Sequence, residues 1–284
     1  MKRLNFLLLI IFLVLSCKKS DDGFEQPEAK TTTFTVIGDV PYGDTQRNGL
    51  IGLIEKHNAQ NTSEFVVHVG DIKKGADPCN EDVFKDVSAI LKKIKIPTFI
   101  ILGDNEYNDC DNSEQAFDLW KSYFLKFNEN WIFSHNVTYQ SNRTENFNWI
   151  QEKILFIGLN IVGSSVHDAN EWGTRLTENG MWVKQLLETH KNNIDATVIF
   201  SHANMVEGGS EKFKPFTDLF RAAAKDFDKP VLIINGDGHF WIKNNPWPEQ
   251  NITRVQINGG ADALKVSVNT DLENPFSFDN SFLD

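Results

Sequence analysis

Four aspartates in this sequence follow a glycine at the end of an apolar, β-branched run: Asp39 in FTVIGD, Asp71 in FVVHVGD, Asp104 in TFIILGD and Asp237 in VLIINGD. A fifth run, TVIFSH, ends in His202, and His239 follows Asp237 closely in GDGH. One Gly-Asp at a strand end is ordinarily a turn or a helix cap, because the carboxylate accepts nearby backbone N–H groups. Four carboxylates brought together are another matter, since they repel one another and take up protons unless a cation lies among them. Asp39, Asp71, Asp104, His202, Asp237 and His239 therefore read as ligands of two divalent metals.

The elements between these residues decide whether they meet. Segments with helical spacing separate the runs: Val83, Val87, Ile90, Leu91 and Ile94; then Trp182, Val183, Leu186 and Leu187; then Phe216, Leu219, Phe220, Ala223 and Phe227. A further helix is expected near Gln115 to Phe127. Continuous apolar strands alternating with amphipathic helices indicate parallel strands buried on both faces. Asp39 to Asp71, Asp71 to Asp104 and His202 to Asp237 are each separated by roughly thirty residues, the length of one strand–helix–strand unit. Parallel crossovers bring the carboxyl ends of the strands to one edge of a sheet, where open α/β sheets bind ligands. Alternating stretches at Trp131 to Tyr139, Phe147 to Leu159, Ile252 to Gly259 and Leu264 to Val268 predict a second sheet packed on the first. No linker divides the chain from Phe34 onward, and residues 34–284 read as one domain.

The ordered set GDVPYG, GDIKKG, GDNE, a lone strand-end His202 and GDGH resembles the calcineurin-like metallophosphoesterases. Their pattern is D-x-H, GDxxx, GNH[DE], a strand-end His and GHxH, and the likeness runs from about Phe34 to Gly259. It implies an α/β fold: a four-layer sandwich of two mixed sheets flanked by helices. It also implies a metal-dependent hydrolase of phosphate esters, mono- or diester, that attacks phosphorus with metal-activated water. Carried over by position, the resemblance gives Asp39 and His239 to the first metal, Asp104, His202 and Asp237 to the second, and Asp71 to the bridge between them. Catalytic roles fall to Asp71, His202 and whatever stands at Asn105.

Three positions depart from the family pattern. Pro41 replaces the histidine of D-x-H, which thins the first metal site by one ligand. Asp104 stands where the family has Asn, and Asn105 where it has the histidine that assists the leaving group. Asn105 cannot give an acidic proton, so leaving-group help must come from His202, from water, or not at all, which favours esters of good leaving groups. A set of four carboxylates and two imidazoles is hard, favouring Mn²⁺ or Mg²⁺ over Zn²⁺ or Fe. The loss of two usual histidines also fits another class of protein, a surface protein that keeps the fold and binds a ligand or partner. A nucleotide-binding Rossmann protein is excluded, because no G-x-G-x-x-G follows a strand.

Other residues admit two readings each. Arg175 and Arg254 would suit a substrate phosphate through their guanidinium forks, or equally a structural ion pair. Lys73 and Lys74 follow Asp71, either to attract an anion or as part of a solvated loop. His68, inside a strand, is read as a core or supporting histidine. Cys79 and Cys110 lie shortly after Asp71 and Asp104, so they form either one disulfide stapling neighbouring loops or a pair of thiols or metal ligands.

The N-terminus, MKRLNFLLLIIFLVLSC, has a basic start and an apolar run too short to span a bilayer comfortably. Residues 1–16 read as an export signal, and VLSC resembles a lipobox that makes Cys17 the lipidated first residue. Residues 17–33 are polar and read as a tether. The protein is thus expected to be exported and membrane-anchored, on the periplasmic or outer side of a Gram-negative envelope. The formal charge is −11, and it becomes more negative once Lys2 and Arg3 leave with the signal. No basic track offers a nucleic-acid-binding patch.

Overall fold

A computed structural model describes residues 31–283 apart from 61 and 208. The signal sequence, Cys17 and nearly all of the tether lie outside the described residues. The domain begins with β1 (Thr32–Ile37), so Thr32 and Thr33, assigned to the tether above, are already strand.

The chain then runs α1 (Asp44–Gln60), β2 (Phe65–His68), α2 (Glu81–Leu91), β3 (Thr98–Ile100) and α3 (Ser113–Phe124). Next come β4 (Thr138–Gln140), β5 (Arg143–Gln151), β6 (Ile154–Gly158), α4 (Ala169–His190), β7 (Ala196–Phe200), α5 (Lys214–Phe227) and β8 (Val231–Asn235). It ends with β9 (Ile242–Asn244), β10 (Ile252–Gln256), β11 (Leu264–Val268) and β12 (Phe276–Asp279). Two mixed sheets result, ordered β12-β11-β1-β2-β3 and β4-β5-β6-β7-β8-β10-β9.

The strand-end residues therefore come from two sheets, not one as the spacing alone suggested. Strands β1, β2 and β3 are parallel in the first sheet, whereas β6, β7, β8 and β10 are parallel in the second. The segment Leu264–Val268, expected in the second sheet, belongs to the first: β11 pairs antiparallel with β1, with Phe34 opposite Val266. Hydrophobic pattern shows that a strand is buried but does not name its neighbour, which accounts for both errors.

Alternation along the strands builds a core between the sheets. Phe34, Val36, Phe65, Val67 and Phe99 meet Trp149, Phe156, Val198, Phe200 and Leu232 from the facing sheet. Trp149 stacks on Phe99 at 4.3 Å between ring centroids and meets Phe65 edge-on at 5.0 Å. Such aromatic contacts add roughly 0.5–1.5 kcal/mol each beyond area burial. The opposite strand faces, with Ile37, Val66, Ile157 and Ile233, pack under helices. The four-layer arrangement of two mixed sheets flanked by helices is thus the fold.

Among the described residues, sequence pattern predicts four of the five α-helices and misses α1. Its apolar stripe is short, Leu50, Leu53 and Ile54, and is completed by buried His57, whose Nε2 lies 3.1 Å from Thr35 Oγ1. A polar residue at a core position blunted the signal.

Cys79 and Cys110 form a disulfide, with Cα atoms 5.9 Å apart. It joins the loop after β2 to the loop after β3, and both sulfurs touch the Asn105 carbonyl oxygen, at 3.7 and 3.6 Å. A bridge closing a loop of 31 residues is worth about 3–4 kcal/mol through the unfolded chain. Reduction, or the Cys79→Ala/Cys110→Ala pair, is expected to lower Tm by about 10 °C. Alkylation of both cysteines in native, unreduced protein, or an unchanged Tm after reduction, would remove the bridge.

Candidate metal centre

The ends of β1, β2 and β8 turn sharply into the cluster. Asp39, Asp71, Asp237 and His239 all have left-handed backbones, with φ of 53°, 63°, 68° and 58°. This region is uncommon for non-glycine residues and concentrates where function over-determines geometry. Gly70, at φ 91°, starts the turn that carries Asp71. Gly103 lies so close that a Cβ there would stand 2.1 Å from the Asp71 backbone nitrogen, so no side chain fits.

These turns bring together the six residues singled out in the sequence. His202 Nε2 lies 3.2 Å from Asp71 Oδ1 and 3.5 Å from Asp104 Oδ1. His239 Nε2 lies 3.4 Å from Asp39 Oδ1. The Asp237 N–H donates to Asp39 Oδ1 at 2.9 Å, and the Asn204 N–H to Asp237 Oδ2 at 3.0 Å. Two groups form, Asp39, Asp71 and His202, and Asp104, His202 and Asp237, each with donor atoms within 4.8 Å of one another. His202 belongs to both.

The hydrogen-bond inventory shows what the cluster lacks. His202 Nδ1 is 2.8 Å from the Val69 carbonyl, an acceptor, so that nitrogen carries the proton. In the neutral ring Nε2 is then a lone pair facing two carboxylates. It is buried without a hydrogen-bond partner, as is Asp39 Oδ2. Burial opposes a charge on His202, but Asp71 and Asp104 outweigh it and push the imidazole well above the usual histidine range. Burial drives the Asp71 carboxyl well above the carboxylate range, with His202 pulling the other way. A proton on His202 would satisfy Nε2 but leave Asp39 Oδ2 bare. Buried acceptors without donors are costly, and a cation among them satisfies both. The residues present therefore fit a metal centre.

Supporting groups hold the ligands. Glu106 is fully buried and accepts backbone N–H groups from Gly103 at 2.6 Å, Asp71 at 3.2 Å and Ile72 at 3.2 Å. It ties the second loop to the third. Glu106 has no assigned role in the sequence analysis above, although its place in GDNE was the available signal. His68 donates from Nε2 to the Val40 carbonyl at 3.0 Å and accepts from the Gly70 N–H at Nδ1. Burial depresses its pKa to about 4, so it stays neutral as a support.

Asn105 is aimed at Asp71, with its N–H 3.0 Å from Oδ1 and its side-chain Nδ2 2.5 Å from Oδ2. Tyr42, which the sequence reading missed, donates its hydroxyl to Asp71 Oδ2 at 2.5 Å and receives Asn105 Nδ2 at 3.0 Å. Its signal was position, since it sits just past Pro41 in GDVPYG.

The arginines are not at the centre. Arg175 is buried against Glu171, at 2.8 and 3.1 Å. Arg254 is buried and forked onto Glu207 at 2.5 and 3.0 Å, with Nη1 also 3.2 Å from Asn204 Oδ1. The substrate-binding roles expected of both are replaced by structural ion pairs, and Arg254 steadies Asn204, which in turn holds Asp237. Lys73 is buried on the carbonyls of Lys74 and Asp77, at 2.9 and 2.7 Å, while Lys74 is exposed. A groove of about 810 Å³ beside Gln140, Thr177, Trp182 and Leu219 has no cluster residue in its lining.

Several solved structures share this fold. A dimetal phosphatase from Danio rerio matches with a TM-score of 0.54 at 12% identity, over 84% of this chain and 95% of that one. Purple acid phosphatase PPD1 from yellow lupin matches with a TM-score of 0.55 at 9% identity, over 88% of this chain and 53% of that one. GAP50, the anchor in the inner membrane complex of Plasmodium, matches with a TM-score of 0.54 at 12% identity, over 88% of both chains. A search of curated proteins finds no match. Identities this low speak for the fold alone, but the family model of the calcineurin-like phosphoesterases matches residues 32–240, the stretch that carries every strand end of the cluster, and the chain belongs to that family.

Proposed function

We propose that the protein is a metal-dependent hydrolase of phosphate esters, built on a carboxylate-rich dinuclear centre with Mn²⁺ or Mg²⁺ favoured over Zn²⁺ or Fe. The observation that carries this reading is the cluster of buried carboxylates around His202, in which Asp39 Oδ2 has no donor whether or not His202 is protonated. When bound, two divalent ions supply the Lewis acidity that makes water a nucleophile near neutral pH and offsets the charge of the phosphoryl group.

The protein's own part is positioning. Asp71 is shared: Oδ1 faces His202, and Oδ2 faces Tyr42 and Asn105. Glu106 fixes the backbone that carries it, so little reorganisation is left for the reaction. His202 has no nitrogen free for proton transfer, because Nδ1 is committed to Val69 and Nε2 to the cluster. It is a ligand in this reading, and the leaving-group proton comes from solvent. Esters with good leaving groups, such as aryl phosphates and diesters, are the substrates this favours.

Export and a lipid anchor at Cys17 belong to the same proposal. The Cys79–Cys110 bridge supports it, since disulfides persist in oxidising compartments outside the cytosol.

Protein purified without chelator is expected to carry Mn²⁺ or Mg²⁺ by elemental analysis, and tight stoichiometric Zn²⁺ or Fe would defeat that assignment. Aryl phosphates should be hydrolysed with added Mn²⁺, and Asp71→Asn should reduce kcat by roughly 10²–10³-fold. Absence of turnover with every metal would favour the binding-protein reading. A second measurement concerns Asn105. Asn105→His should raise the ratio of alkyl to aryl phosphate turnover by about tenfold or more, even if the loss of its hold on Asp71 lowers both rates. A lower ratio would show that Asn105 does not limit the leaving group.

A further inference from the structure

We propose that the Tyr42 phenol oxygen is a ligand of the first metal, in the place that Pro41 leaves empty. This rests on the metal-centre reading above and names a donor that the strand-end pattern does not contain.

Asp39, Asp71 and His202 form the first group, yet His239 reaches it only through Asp39 Oδ1, at 3.4 Å. Tyr42 Oη stands on the other side of His239, 3.3 Å from its Nε2, and 2.5 Å from Asp71 Oδ2. Asp39, His239, Tyr42 and Asp71 thus form a chain of successive neighbours, with Asp39 and Asp71 also donors of one group. Adjacent donors of a small hard cation, each about 2.0–2.2 Å from it, stand about 3 Å apart. The three measured separations of 2.5, 3.3 and 3.4 Å bracket that value.

Tyr42 is also held for the task. Its own N–H donates to Gln46 Oε1 at 2.8 Å, and its ring meets the His239 ring edge-on at 5.3 Å. Asn105 Nδ2 donates to Tyr42 Oη at 3.0 Å, which leaves the remaining lone-pair direction to the cluster. The hydrogen atom now between Tyr42 and Asp71 lies between two donor oxygens. A cation held by both oxygens would take the place of that proton, which would be released to solvent. Three oxygen donors and one imidazole would make the first site harder than a histidine-rich one.

The test is metal titration of the mature chain beside its Tyr42→Phe and Tyr42→His variants, followed by calorimetry with Mn²⁺. The wild type should bind two ions. Tyr42→Phe should lose one, or bind it at least tenfold more weakly, with unchanged circular dichroism. Tyr42→His, which restores a donor, should recover much of the loss. The chain has four tyrosines, so ¹³Cζ-tyrosine NMR gives an independent reading with diamagnetic Mg²⁺. One resonance, absent from Tyr42→Phe, should move on loading as a phenol does when it ionises. Unchanged metal affinities in Tyr42→Phe, whether or not turnover falls, would overturn the inference and leave the metal centre standing. A wild type that binds no metal would overturn both.

Discussion

The structure is organised around an electrostatic debt held at one place. Asp39, Asp71 and Asp104 are almost fully buried and His202 is entirely so, and within this group two acceptors find no donor. Like charges so close are tolerated only if a positive charge joins them, and the desolvation that makes them repel also makes their grip on a cation strong. The fold supplies the rigidity this requires. A core of stacked aromatic rings fixes one sheet against the other, and the carboxyl ends of β1, β2, β3, β7 and β8 are thereby held in register across the gap. Four left-handed residues then turn the chain at the point of use.

Around the ligands runs a set of bonds that decides their orientation. Glu106 gathers three backbone N–H groups from two loops, and Asn105 and Tyr42 converge on one oxygen of Asp71. The disulfide rests on the Asn105 carbonyl, so the covalent staple and the hydrogen-bond network act on the same short segment. Outer partners of this kind set the direction of metal ligands and commonly matter to affinity by one or two orders of magnitude. A centre rich in aspartate has particular need of them, because a carboxylate rotates more freely than an imidazole anchored through its second nitrogen, as His202 is on Val69.

What could be read in the sequence was the part with a local signature. The strand-end aspartates, the lone histidine and the helical stripes of α2, α4 and α5 are all patterns of neighbours in the chain, and their order carried the family. The partition of strands between sheets was not legible, because β1 and β7 look alike as buried apolar runs and differ only in distant partners. Arg175 and Arg254 were drawn towards substrate by their chemistry, but Glu171 and Glu207 had the prior claim. The first of these partners lies on the same helical face, so the pairing was open to a helical-spacing argument. The second comes from a loop far away in sequence.

Tyr42 shows why substitution is best judged by position in space and not by position in a motif. Judged by the motif, Pro41 is a lost ligand and the first site looks weakened. In the folded chain, the residue after it lays a hydroxyl between Asp71 and His239, two residues that the motif assigns to that very site. The same holds at Asn105, where the motif records a missing histidine, while the structure records an amide bonded to both Asp71 and Tyr42. The two departures are therefore one change: the amide and the phenol are bonded to each other and to the same carboxylate oxygen. A chain that had merely decayed would be expected to leave these positions without mutual partners. Here the two residues are bonded to each other and converge on one carboxylate oxygen of the candidate metal centre, so both departures bear on how Asp71 is held.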